Sequence, residues 1–158
     1  MEQKIIKLLD SNLECTNCRI KDDKIIMDIQ SMQKQAECPF CKVSSDKIHS
    51  VYQREIQDIP LHGRQTILLL KTRKMFCLNP ECCHKTFSER FEFVSPKSKK
   101  TKRLINKIRM TSVKLSSVSA SALLKNEGVQ VSKTTICEML KKNPGHCGEK
   151  QNHQNLCG

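Results

Sequence analysis

Along residues 24–30, Ile25, Met27 and Ile29 alternate with Ile26, Asp28 and Gln30, the two-residue period of a strand with one buried face. A polar turn at Lys21-Asp22-Asp23 links this stretch to a second β-rich segment at 13–20, which predicts a hairpin. A third strand is predicted from Thr66 through Ile67-Leu68-Leu69-Leu70 to Phe76. Before it, Asp58-Ile59-Pro60-Leu61-His62-Gly63 reads as a turn punctuated by Pro and Gly. Phe87, Phe91 and Phe93 then offer an apolar flap, and Ser95-Pro96-Lys97-Ser98-Lys99-Lys100 reads as a linker.

From Thr101 the period lengthens to that of a helix. Leu104, Ile105, Ile108 and Leu115 mark one helix, and 117–126 a second with Val118, Ala122 and Leu123 inward. Glu127-Gly128-Val129-Gln130-Val131 makes a turn, and Ser132 caps a third helix with Ile136, Met139 and Leu140 on its buried stripe. Asn143-Pro144-Gly145 is the predicted stop. Three helices with a Gly-containing turn before the last match a helix-turn-helix arrangement.

Composition narrows the chemistry. The chain has 158 residues, no Trp, one Tyr and 4% aromatic residues, which is thin material for a large core. Its formal net charge is +12, a balance that suits a polyanionic partner. Between Glu92 and Glu127 there is no acidic residue, while Lys97, Lys99, Lys100, Lys102, Arg103, Lys107, Arg109, Lys114 and Lys125 all fall there. Neither a signal-peptide core nor an apolar stretch of about 20 residues is present, so a reducing cytoplasm is the expected compartment. In that setting clustered cysteines bind metal more often than they form disulfides.

There are ten cysteines, and several are paired closely. Cys38-Pro39-Phe40-Cys41 and Cys77-Leu78-Asn79-Pro80-Glu81-Cys82 each bend around a proline, so each turn can present two thiolates to one tetrahedral zinc ion. Cys15 and Cys18 are a rival pair for Cys38 and Cys41. They fall in a predicted strand, however, where residues three apart face opposite sides. Cys83 could replace Cys82 in a slipped register, and His49 could be a further ligand or a packing side chain. With four thiolates the site would be closed to water and structural. The tail residues His146, Cys147, His153 and Cys157 read as disordered with adventitious metal affinity.

Three stretches carry a family likeness. They are the run His49-Ser50-Val51-Tyr52-Gln53-Arg54 to Gly63, the basic strand 68–76 into Cys77, and Phe87-Ser88-Glu89-Arg90 after Cys82. Together they resemble the N-terminal zinc ribbon of ISL-three-type insertion-sequence transposases. Val131-Ser132-Lys133-Thr134-Thr135-Ile136 is similar to the start of that family's last helix-turn-helix helix, so the likeness covers roughly residues 5–143. The resemblance implies Cys38, Cys41, Cys77 and Cys82 as ligands of one structural zinc. Relatives continue into an RNase H-like domain whose acidic triad holds two divalent metals for strand cleavage and transfer. Here only Glu127, Glu138 and Glu149 follow Glu92, so the chain is expected to stop short of that domain and to bind DNA without cutting it.

The expectation is therefore an α+β chain. A β-rich zinc ribbon (1–94) is followed by a basic linker (95–101), a three-helix helix-turn-helix module (102–143) and a disordered tail (144–158). Candidate DNA contacts are Lys99, Lys100, Lys102, Arg103, Lys107 and Arg109 on phosphates, with Ser132, Lys133, Thr134 and Thr135 at base edges. Arg54, Arg64, Arg73 and Lys74 are candidate backbone contacts on the ribbon. The expected partner is double-stranded DNA at terminal inverted repeats, with a homodimer as candidate assembly, no membrane, and a location at the prokaryotic nucleoid. Rival readings are a stand-alone repressor of the element, an inactive transposase relic, and an enzyme with a redox or hydrolytic zinc centre.

Overall fold

A short helix, α1 (Glu2–Lys7), opens the chain in the computed structural model, which describes residues 1–142. The predicted stop at Asn143-Pro144-Gly145 and the whole tail, with its Cys and His residues, lie outside the described residues. The hairpin of β1 (Leu13–Lys21) and β2 (Lys24–Ser31) forms as the alternation predicts. It turns on Asp22 and Asp23, both at positive φ (51° and 60°), the backbone shape that matches strand twist in a two-residue turn. Two very short strands follow, β3 (Ala36–Glu37) and β4 (Ser44–Ser45).

The longest strand, β5 (Ile48–Leu61), is one that hydrophobic patterning misses. From His49 to Gln53 every side chain is exposed, so there is no apolar alternation to read. This half is held by backbone pairing with β6 (Arg64–Phe76). The turn predicted over six residues shrinks to His62 and Gly63, at φ 51° and 72°. Asp58, Ile59 and Pro60 remain in β5, with the ladder irregular between Asp58 and Leu61, where Pro60 has no N–H to give.

The sheet runs β1-β2-β6-β5. Parallel β2 covers Gln65–Lys71 along one edge of β6, and β7 (Thr86–Ser88) takes over that edge at Lys74–Phe76. The main core lies on one face of this sheet and contains Ile6, Leu13, Met27, Ile29, Ile56, Leu68 and Leu70, with Phe93 and Val94 closing over it. Helix α1 escaped prediction because six residues hold too little of a 3.6-residue period. Ile6, 1% exposed, is what it contributes.

Three helices complete the described residues: α2 (Lys102–Lys114), α3 (Ser117–Asn126) and α4 (Lys133–Lys142). Thr101, Ser116 and Ser132 cap them, their hydroxyls accepting from the backbone N–H of Leu104, Ser119 and Thr135. Their shared core is Leu104, Ile108, Ala120, Leu124, Val129 and Ile136. The inward face predicted for α3 is wrong in phase. Ala120 and Leu124 are buried, whereas Val118 is 62% and Leu123 42% exposed. A helix of Ser and Ala offers too little contrast to fix its orientation. On α4, Ile136 is buried as expected but Leu140 is exposed.

The helices dock on the sheet through residues 95–101, read above as a linker. Gln57 on β5 donates its N–H to Lys99 O (2.8 Å) and accepts from Thr101 N (3.0 Å), as a neighbouring strand would. The Arg54 guanidinium donates to the carbonyls of Ser95 and Ser98, each at 2.9 Å. Buried Asp58 accepts from Thr101 Oγ1 (2.7 Å) and from both Nε (2.8 Å) and Nη2 of Arg103. At the far end Gly128, φ 87°, presses its α3–α4 turn on the β5–β6 hairpin. A Cβ there would stand 3.2 Å from Gly63 O and Gln65 N.

Candidate metal centre

Each knuckle is built by its own backbone before any ion is considered. In the first, Cys38 donates its N–H to Val43 O (3.0 Å) and accepts from Lys42 N (2.9 Å), with Lys42 at φ 67°. The small β3–β4 ladder closes the base of that loop. The second leaves β6 at Phe76. Cys77 N donates to Lys85 O (2.9 Å), Asn79 Oδ1 accepts from Glu81 N (3.0 Å), and Cys82 N donates to Asn79 O (3.2 Å). Asn and Pro are the residues such a turn requires.

These turns bring the sulfurs of Cys38, Cys41, Cys77 and Cys82 within 4.8 Å of one another. Cys41 Sγ and Cys77 Sγ are 3.5 Å apart. Tetrahedral zinc with Zn–S bonds of about 2.3 Å needs sulfurs about 3.8 Å apart, so the cluster fits the ion. Cys38 and Cys82 are buried against Ala36, Met75 and Phe87, with Cys41 and Cys77 at the margin.

Proton affinity in the cluster is divided. Backbone hydrogen bonding at Val43 pulls the Cys41 thiol down to about 7, helped by the neighbouring thiols. Cys77 also receives a backbone hydrogen bond, from Asn79. Burial and the shared hydrogen bonds with Cys41, Cys38 and Cys82 outweigh it and push that thiol up to about 12. Four sulfurs this close cannot all carry charge without a cation among them. One zinc ion supplies that charge, and four thiolates leave no position for water, so the ion is structural.

The rival ligands fall elsewhere. Cys15 and Cys18 do lie in β1, but the reason given above for setting them aside needs correcting. A bulge between Cys15 and Asn17 turns both residues toward the main core, so they share a face, away from the cluster. Cys82, and not Cys83, completes the four, so the register does not slip. His49 meets the edge of the Phe76 ring and lies 3.0 Å from Ser50 Oγ. His84 stacks flat on Phe40, ring centres 3.5 Å apart.

The candidate DNA contacts divide by environment. Lys99, Lys102, Ser132, Lys133 and Thr134 are exposed, while Lys100, Arg103, Lys107, Arg109 and Thr135 are half-buried. Arg103 is held by Asp58, and Lys107 Nζ lies 2.9 Å from Glu127. Burial, and then the nearby charge of Lys99, lowers the ammonium pKa of Lys100. Ser132 and Thr135 spend their hydroxyls on each other and on the cap. On the sheet, Arg73 is tied to Glu89 and Arg64 to Asp23.

Patterning also passed over Phe40, Tyr52 and Arg90, which line one concavity of about 250 Å³ beside the knuckles. Tyr52 and Arg90 stand within the runs that carry the family likeness, and nothing in their spacing with Phe40 announces that the three meet.

No helix among the described residues is long and apolar enough to cross a membrane. No curated protein matches the chain, and neither does any solved structure. One family does match: residues 34–83 fit the zinc-finger of transposase IS204/IS1001/IS1096/IS1165. That stretch holds both knuckles and the β5–β6 pair between them, so the four thiols gathered here occupy a transposase-type zinc ribbon.

Proposed function

We propose that this chain is a DNA-reading part of a transposase, in which the zinc ribbon braces a helix-turn-helix formed by α2–α4. In this reading α4 enters the major groove at the element's terminal inverted repeats. The observation that carries it is the transposase zinc-finger match over 34–83. The helices support it: α3, a Gly128 turn and α4 share one core with α2. The N-terminus of α4 presents Lys133 and Thr134 to solvent, the positions that reach base edges in such units. Lys102 at the start of α2 and Lys99, in the segment before its Thr101 cap, are the phosphate contacts of this reading.

Binding rather than strand cleavage is the activity proposed. Among the described residues, the one group placed for a metal is the four-thiol cluster. A closed thiolate site stabilises a fold and activates no water. The test is fluorescence anisotropy of the zinc-loaded chain at fixed, near-physiological salt. Duplexes from the DNA flanking its own gene are compared with scrambled duplexes of equal composition. A preference of about a thousandfold or more is the expected result for specific recognition. Equal weak binding would reduce the activity to non-specific charge.

A further inference from the structure

The concavity beside the knuckles has a composition that duplex binding does not require. On the floor, Tyr52 and Arg54 come from β5 and Lys74 from β6, with Ser88 paired opposite Lys74 on β7. On the rim are Phe40 from the first knuckle, His84 stacked on it, and Arg90, whose guanidinium lies 5.7 Å from the Phe40 ring centre. Phe40 is 44% and Tyr52 42% exposed. Glu89 is the one acid lining the pocket, and it is buried and neutralised by Arg73 through contacts of 2.6 and 3.0 Å. Net positive charge is left facing exposed aromatic rings.

The geometry points to a second nucleic-acid site here, one that takes an unpaired nucleotide of DNA. The phosphates of a duplex are met by cations and hydrogen-bond donors, which need no exposed aromatic ring, and its bases are already stacked on one another. Exposed aromatic rings beside cations are the surface on which unpaired bases stack while Lys and Arg follow the backbone. A concavity of about 250 Å³ has room for one nucleobase. Charge selects the occupant: with Glu89 silenced, the site attracts an anion. A zinc ion on the four thiols would hold the rim in place, because Phe40 lies between the ligands Cys38 and Cys41, and His84 comes two residues after the ligand Cys82.

This inference rests on the DNA-binding reading but turns on Tyr52 and Arg90, which that reading does not use, so the two can be tested apart. The zinc-loaded full chain is titrated at fixed salt against a perfect duplex, the same duplex with one extrahelical nucleotide, and a short oligothymidine strand. Tighter binding of the last two than charge density allows, weakened about tenfold or more by Tyr52→Leu and by Arg90→Gln with duplex affinity unchanged, is the expected result. Lys133→Ala should show the reverse pattern. Equal losses on all three probes, or no preference for unpaired nucleotides in the wild type, overturn the pocket and leave duplex recognition standing. Binding to none of the probes overturns both. Thermal melts of the two pocket variants within a few degrees of wild type exclude misfolding, since both side chains are exposed.

Discussion

The knuckle end and the helical end of this protein are both small, yet they are held in opposite ways. At the knuckles the buried cluster is Ala36, Cys38, Met75, Cys82 and Phe87, and two of its members are metal ligands. The helices bury Leu104, Ile108, Ala120, Leu124, Val129 and Ile136, all of them apolar, and add a side-chain anchor to the sheet at Asp58. Between them the sheet core runs from Ile6 to Val94 and needs neither a metal nor a docked neighbour to fill it. An apolar cluster as slight as that at the knuckles cannot offset the entropy of ordering two loops, so an ion substitutes for area. A slightly larger apolar cluster needs only docking. The comparison predicts that one end fails on chelation and the other on loss of an ion pair.

The largest effect should come from the metal. Structural zinc contributes on the order of 10 kcal/mol of apparent binding free energy, comparable to a domain's whole net stability. Removing it with a chelator, or changing Cys77→Ser, should abolish amide protection at β3, β4 and β7 while the β2–β6 ladder stays protected. Zinc content should fall from one ion per chain. A melt and exchange pattern indifferent to chelator would sink the structural role. Loss of protection everywhere at once would show that the sheet core, too, leans on the ion.

Asp58 should come next. Its carboxylate is buried and serves Thr101 and Arg103 together, so Asp58→Ala leaves the buried Thr101 hydroxyl unpaired and frees a partly exposed Arg103, at a cost of about 1–3 kcal/mol. Early exchange should appear in α2 and spare the knuckles, with zinc retained. If zinc affinity falls in step, the two ends are coupled and the contrast between them is overstated.

How much of this was readable in advance follows the same division. The knuckles were legible because zinc demands cysteines at fixed short spacings around turn residues, a local signal. The β1–β2 hairpin was legible because one face is buried. Strand β5 was not: His49 to Gln53 are all exposed, and its pairing with β6 is a tertiary fact written in no side chain. Arg103 was read as a phosphate contact because its neighbours are basic, and nothing in its spacing announces Asp58, far back in the chain. Cys15 and Cys18 share a face only because a bulge intervenes, and a bulge in a polar stretch leaves no periodic trace.

Gly128→Ala probes the docking surface more gently. The residue sits at φ 87°, and a methyl would meet Gly63 O and Gln65 N at 3.2 Å, both backbone atoms. A loss of about 1–3 kcal/mol is expected, read as a lower melting temperature with zinc stoichiometry unchanged. An unchanged melt would mean that the α3–α4 turn can lift off the hairpin freely, and Asp58 would then carry the docking alone.

The smallest effect on stability should be the most informative about function. Lys102 and Arg103 are neighbours, and sequence alone treats them as equivalent phosphate contacts. Lys102 is exposed, whereas Arg103 is engaged by Asp58. Lys102→Ala should leave the melt within about 0.5 kcal/mol of wild type. It should weaken all duplexes uniformly and reduce the salt dependence of binding by about one phosphate's worth. Arg103→Ala should instead lower the melt first and affinity only as a consequence. Lys133→Ala, on the exposed start of α4, should leave stability alone and cost more on the element-end duplex than on a scrambled one. If Lys133 and Lys102 behave alike on both duplexes, α4 contributes charge but no base readout, and the helices grip DNA without choosing a sequence.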